Sequence, residues 1–191
     1  MSWARGILMR MFGRPEGVLG RLGGVVMART NHLAAKEVIG LLDVRGGDKV
    51  LEVGFGPGVG IELMAERVSG GCVAGIDSSR EMVAQATSRN SDAVAGGRVD
   101  LRHGTVQALP FADGTFDKAL AINSMQVWPD AGSGLQEIRR VLRVGGKVAL
   151  GFTAYSGQPK DGVTELLTTA GFTEVQMVDG KNLFYALASK P

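Results

Sequence analysis

Glycines stand at every second position after a short apolar run, where Val50-Leu51-Glu52-Val53 leads into Gly54-Phe55-Gly56-Pro57-Gly58-Val59-Gly60. Glycine lacks a β-carbon, so a loop of this kind lets the backbone approach a ligand closely. Its place between a strand pattern and a helix pattern is the carboxyl end of a first strand, where doubly wound sheets bind nucleotide-like ligands. Twenty-three residues after Gly54, the run Gly75-Ile76-Asp77 ends in a carboxylate, positioned to accept hydrogen bonds from both hydroxyls of a ribose.

Two ligand classes use such an arrangement, and the spacing separates them. Dinucleotide enzymes carry G-x-G-x-x-G and seat a pyrophosphate on the helix N-terminus. Here Val59 occupies the place of the last glycine, and Glu52 stands two residues before the first. A carboxylate beside the loop repels a pyrophosphate and suits a ligand with ammonium and sulfonium charge. The pattern therefore favours S-adenosylmethionine, with an NAD(P)-dependent oxidoreductase as the alternative.

The elements that position these residues follow from periodicity. Apolar runs at 49–53, 72–76, 99–103, 118–122 and 147–152 alternate with helical stripes such as Ile61, Met64, Ala65 and Val68, or Leu135, Ile138, Val141 and Leu142. That alternation predicts βαβ units and a mostly parallel sheet covered on both faces. His32–Leu42 reads as a covering helix, and Ser78 with Glu81 has capping-box spacing. Gly70-Gly71 and Gly145-Gly146 read as helix stops. Gly162–Ala170 reads as a last helix, and two β runs at 173–178 and 183–189, joined through Asp179-Gly180, read as an antiparallel pair. The expected fold class is α/β, a Rossmann-like three-layer αβα sandwich with a mostly parallel seven-stranded sheet and an antiparallel C-terminal strand.

The order of four motifs carries a family resemblance. Glu52-Val53-Gly54-Phe55-Gly56-Pro57-Gly58 resembles motif I of class I S-adenosylmethionine-dependent methyltransferases, and Asp77 resembles their ribose-binding acid. The stretch from Gly104 through Leu109-Pro110-Phe111 to Asp113-Gly114-Thr115-Phe116-Asp117 is similar to the family's G-D-A-x-x-L-P-F-x-D-x-S-F-D. Glu137 to Gly146 is similar to its E-x-x-R-V-L-K-P-G-G, and together the matches resemble the ubiquinone/menaquinone-biosynthesis-like (methyltransferase type 11) branch. The resemblance implies an enzyme with S-adenosyl-L-methionine as cofactor and S-adenosyl-L-homocysteine as product. It also implies that Gly54, Phe55, Gly56 and Gly58 lie along the cofactor, with Glu52 organising the loop. Asp77 would hold the ribose, Ser78 and Thr105 would border the adenine, the Val106 amide would contact it, and Asn123 would face the methyl-donor end. The family commonly has Asp where this chain has Thr105.

Methyl transfer from a sulfonium is an in-line displacement, so proximity and orientation supply much of the acceleration, and a base is needed only if the acceptor must lose a proton. The catalytic candidates are His32 in the covering helix, Asn123 and Trp128 after the fourth strand, and Tyr155 after the fifth. Trp128 reads either as a stacking surface or as a loop anchor, and His103 as structural. The segment 123–130 lacks the N-P-P-Y of many nucleic-acid and protein amide methyltransferases. A non-catalytic S-adenosylmethionine-binding module is a further alternative.

Composition frames these readings. With 191 residues, 45% hydrophobic and 21% charged, the chain reads as one methyltransferase domain, with a cofactor-binding core over 31–191 and a basic amphipathic cap or lid over 1–30. Five arginines, Arg5, Arg10, Arg14, Arg21 and Arg29, against Glu16 give that cap +4 and leave −2 for the rest of a chain of net +2. Trp3, Ile7, Leu8, Met9, Met11, Phe12, Val18, Leu19 and Leu22 lie between them. The cap thus suits an anionic membrane surface or an amphiphilic acceptor, or packing on the domain. Arginine and glycine interrupt its apolar stretches, so it reads as neither signal peptide nor membrane span. No chain-wide basic field points to nucleic acid. The lone Cys72 excludes a cysteine metal cluster, reads as a small core residue and suits a cytoplasmic protein; no metal is expected. The acceptor reads as a small molecule or a lipid-like compound.

Overall fold

The computed structural model describes residues 32–180 and 183–191, so the basic cap over 1–30 lies outside the described residues. A helix over 32–41 (α1) comes first. It is followed by β1 (Lys49–Val53), α2 (Val59–Arg67), β2 (Cys72–Asp77), α3 (Arg80–Arg89), α4 (Ser91–Ala95), β3 (Val99–His103), β4 (Phe116–Ile122) and α5 (Ala131–Val141). Then come β5 (Leu142–Thr153), α6 (Val163–Thr169), β6 (Thr173–Asp179) and β7 (Leu183–Ser189). Short 3-10 turns at Val106–Ala108, Met125–Val127 and Ala154–Ser156 follow β3, β4 and β5.

The seven strands form one sheet in the order β3-β2-β1-β4-β5-β7-β6. β1 to β5 pair in parallel, and β7 runs antiparallel to both β5 and β6. The expected architecture is therefore present. Successive strand residues face opposite sides, and the burial follows: Val50, Leu120, Ile122 and Ala149 join one apolar cluster, Leu51, Ala119, Ala121, Val148 and Leu150 the other. Helices α1 (Val38, Ile39), α2 (Ile61, Met64) and α3 (Ala86) cover the first face. Helices α5 (Leu135, Ile138) and α6 (Val163, Leu167) cover the second. Each such fully buried Leu, Ile or Met contributes roughly 1.5–3 kcal/mol of burial.

The strand order reverses between β1 and β4, which opens a crevice beyond their carboxyl ends. Gly54, Asp77, Thr105, Asn123 and Tyr155 all lie at or just past the ends of successive parallel strands, on that edge.

Some boundaries differ from expectation. Helix α5 stops at Val141, ahead of Gly145-Gly146, because Leu142 is already extended and pairs with Phe116 of β4. The glycine pair lies inside β5, where the Gly145 amide donates to the Lys190 carbonyl at 2.8 Å. At the start of α3 the N-cap is Ser79, not Ser78: its hydroxyl accepts from the Met82 amide. Helix α4, unforeseen in the sequence, is a five-residue turn with Ala93 buried against the first cluster. Cys72 is half-exposed at the start of β2 rather than a core residue, with its thiol unbridged.

Candidate functional site

Gly54, Gly56 and Gly58 have φ of 74°, 54° and 84°, in the left-handed region that favours glycine. Gly58 caps α2 and has a second constraint: a β-carbon there would stand 2.7 Å from that of Ala86 on α3. The loop is held from three sides. Asn90 Nδ2 donates to the Gly58 carbonyl at 3.2 Å and Arg89 Nε to the Pro57 carbonyl at 3.0 Å, both from the end of α3. Ser124 Oγ, just past β4, donates to the Val53 carbonyl at 2.9 Å. The Gly54 amide donates to the Ile76 carbonyl at 2.8 Å.

Two carboxyls sit beneath this loop. Glu52 is 4% exposed, and its Oε2 is buried without a hydrogen-bond partner. Its carboxyl fills space that Gly60 leaves open, since a β-carbon on Gly60 would stand 2.4 Å from Oε1. Burial, with a smaller contribution from the negative Asp77, pushes the Glu52 pKa up to about 8. Asp77 is 8% exposed, but its oxygens are engaged. The Gly56 amide donates to Oδ2 at 2.9 Å and the Ser79 amide to Oδ1 at 2.8 Å. Burial raises the Asp77 pKa, and these amides and His103 oppose the rise. A carboxylate oxygen has two acceptor sites, so each oxygen of Asp77 retains capacity for a ligand hydroxyl.

The two motifs that resemble later family elements lock together. Arg140 on α5 donates from Nε to Glu137 Oε1 at 2.7 Å and from Nη2 to Oε2 at 2.9 Å. It also donates to the carbonyls of Leu109 and Phe111 and to Asp113. Glu137 in turn accepts from the Leu109 amide at 2.9 Å. The Arg140 guanidinium holds the Glu137 carboxyl below its ordinary pKa range. This network fixes the segment that follows β3, and with it Thr105 and Val106.

The other predicted residues occupy varied settings. The Phe55 side chain is buried: a β-carbon on Gly75 would stand 2.5 Å from its ring, and Leu101 lies on the same site, so the ring is part of the core. Ser78 and Thr105 are exposed, and His103 Nε2 lies 3.2 Å from the Ser78 carbonyl. Val106 opens a 3-10 turn, whose first amide has no partner within the turn. Asn123 has φ of 50° and its Oδ1 accepts from the Thr153 amide at 2.9 Å, tying the ends of β4 and β5. Trp128 is half-buried against Gly134 of α5, next to Val106. Tyr155 is 90% exposed. His32 is half-buried at the start of α1, which runs opposite to the strands. Val38 abuts Gly151 near the end of β5, while Asp43 below it accepts from Lys118. His32 therefore stands toward the same edge of the sheet as the glycine loop.

What results is a cradle of backbone and buried carboxyls at the switch point, suited to a ligand with hydroxyls and positive charge. Gly60, Arg89, Asn90 and Ser124 belong to its support and were not singled out from sequence; the even glycine spacing was the one available signal. Among the described residues no group of three His, Cys, Asp or Glu could hold a metal ion.

Comparison with known proteins agrees with this geometry. A family model described as a methyltransferase domain matches residues 50–146. The uncharacterized methyltransferase YdaC of Bacillus subtilis is 31% identical over 160 residues, covering 84% of this chain and 83% of that protein. A phosphatidylethanolamine N-methyltransferase of Cereibacter sphaeroides is 37% identical over 109 residues, 57% of this chain and about half (52%) of the relative. Among solved structures, an S-adenosylmethionine-dependent methyltransferase from Aquifex aeolicus shares the fold with a TM-score of 0.74 at 22% identity, covering 83% of this chain and 90% of that one.

Proposed function

The chain belongs to the methyltransferase domain family and is a class I S-adenosylmethionine-dependent methyltransferase, and on that premise we propose that it methylates an apolar or amphiphilic acceptor entering over the β4–β5 edge. The observation that carries this reading is the exposed apolar margin that the described residues place at this edge. The chain leaves β5 through the Ala154–Ser156 turn and reaches α6 at Val163 without an inserted element. Val127 and Tyr155, one after each of these adjacent strands, are 40% and 90% exposed. The similarity to a phosphatidylethanolamine N-methyltransferase supports the same acceptor class.

The cradle fits the cofactor. The unpartnered Oε2 of Glu52 suits the ammonium of its methionine portion, and the spare acceptor sites of Asp77 suit its ribose hydroxyls. The left-handed turns at Gly54, Gly56 and Gly58 give the loop the path along which its backbone would follow the cofactor, and Ser78, Thr105 and the Val106 amide border the adenine. The cofactor supplies a methyl carbon activated by a sulfonium leaving group. The chain's part is to align acceptor and methyl group and to exclude water. Asn123, braced by Thr153, shapes the donor end, and Trp128 walls the adenine side of the mouth through Val106. His32 is the available proton acceptor at the edge.

The test is methyl transfer from isotopically labelled cofactor, in separate reactions, to amine lipids, quinone precursors and small water-soluble amines and phenols. Label entering only the organic phase is expected. Label found only on water-soluble acceptors would overturn the acceptor class while leaving the enzyme class in place.

A further inference from the structure

The edge of the sheet that bears the site is also its most apolar exposed margin. Leu33 is 68% exposed, Val127 40% and Tyr155 90%, three of the five large hydrophobic residues exposed among those described. They come from three elements that meet at one edge. Val127 follows the end of β4 and Tyr155 the end of β5, and those ends are adjacent through the Ile122–Gly151 pairing. Leu33 lies five residues before Val38, which abuts Gly151, so at about 1.5 Å per helical residue it stands some 7 Å beyond Gly151 toward the same edge. Scattered apolar residues need no explanation, but a group around the mouth of a site does.

The sequence joined to this margin is of complementary kind. Residues 1–30 precede α1 in sequence, and they carry +4 among large apolar residues that include Trp3 and Phe12. The remainder of the chain is −2, so the net positive charge comes from the segment that precedes the apolar margin in sequence. Arginine with interspersed tryptophan, leucine and phenylalanine matches the boundary of an anionic bilayer, where charge meets headgroups and apolar side chains enter the acyl region.

We propose that the site-bearing edge docks on an anionic lipid surface, held by the arginines of residues 1–30 and by Leu33, Val127 and Tyr155. The inference deepens the amphiphilic-acceptor reading: the mouth faces the phase in which such an acceptor is dissolved. The acceptor reaches it by lateral diffusion within the leaflet and need not cross water.

The experiment is co-sedimentation of the full chain with phosphatidylcholine vesicles and with vesicles part phosphatidylglycerol, at low and high salt. Binding to the anionic vesicles alone, weakened by salt, is expected. Replacing Arg5, Arg10, Arg14 and Arg21 together by glutamine should reduce binding at least a hundredfold, at roughly fivefold per arginine. Leu33→Ser with Val127→Ser, which leaves the charge unchanged, should reduce it severalfold. No binding to anionic vesicles, equal binding to both compositions, or full binding by the Leu33/Val127 double variant would each overturn the proposal. Stabilisation by S-adenosylhomocysteine, followed in parallel, separates the two readings, because it persists when only the lipid contact is lost.

Discussion

The carboxyl of Glu52 occupies the volume that a side chain on Gly60 would need: a β-carbon there would lie 2.4 Å from one oxygen and 2.5 Å from the other. The glycine makes the buried acid possible, and the acid supplies the cradle with a buried carboxyl oxygen that has no hydrogen-bond partner. Gly60→Ala should therefore displace Glu52 and reduce S-adenosylhomocysteine affinity at least tenfold. Calorimetric titration of the variant checks this; wild-type affinity would remove Glu52 from the binding site.

Glu52 also sets a pH dependence. Its folded pKa of about 8 lies above the ordinary 4.5. Between those values the unfolded chain releases a proton that the folded chain keeps, so stability falls as pH rises, by up to about 1.4 kcal/mol per pH unit, and levels off above the folded pKa. Pairing with a cationic ligand requires the same proton to leave, so cofactor affinity should climb over this range. In Glu52→Gln both slopes should flatten, as denaturant titrations and ligand titrations across the range would record. Unaltered slopes in the variant would assign the proton to another group.

Asp77 holds two amides, from Gly56 and Ser79, while keeping acceptor sites for a ribose. Asp77→Ala should abolish cofactor-induced stabilisation and lower the melting temperature of the free protein by only a few degrees, the expected scale for losing hydrogen bonds worth about 1–2 kcal/mol in total. Asp77→Asn, which retains one amide acceptor, should fall between. A variant that binds the cofactor normally would refute the ribose assignment.

Arg140 is the largest single tether in the described chain, joining α5 to the 109–113 segment through Glu137, Asp113 and two carbonyls. Arg140→Ala leaves Glu137 without its counter-ion and the Leu109 and Phe111 carbonyls without their donor, and should cost about 1–2 kcal/mol at this partly exposed position, with a weaker cofactor site because Val106 loses its support. Arg140→Lys should recover little, since a point charge cannot reproduce the forked contacts. Urea denaturation of both variants is the measurement, and near wild-type stability of the lysine variant would contradict the geometry.

The parallel strands and the glycine loop were legible because their signals are local: apolar runs, glycine spacing, an acid at a strand end. Glu52 and Asp77 could be named for the same reason. The supports were not legible, because each is a contact between distant segments. Nothing beside Asn90 in the sequence says that its amide reaches Gly58, or that Ser124 reaches Val53. Gly145-Gly146 misled for the complementary reason: a pair that ends helices in isolation is overruled by Leu142 pairing with Phe116. Phe55 sits within the binding motif, yet its ring is claimed by the space over Gly75. Helix α4 is too short for periodicity to declare itself.

The place of β7 has a consequence for how the sheet is made during synthesis. Strand β7 follows β6 in sequence yet lies between β5 and β6, so β6 emerges from the ribosome before the partner it needs. Until Leu183–Ser189 follows, β5 presents an unpaired edge from Lys147 to Thr153 with Val148, Leu150 and Phe152 along it. An interrupted chain is then an aggregation-prone template. Chains cut before Leu183 are therefore expected to lose solubility.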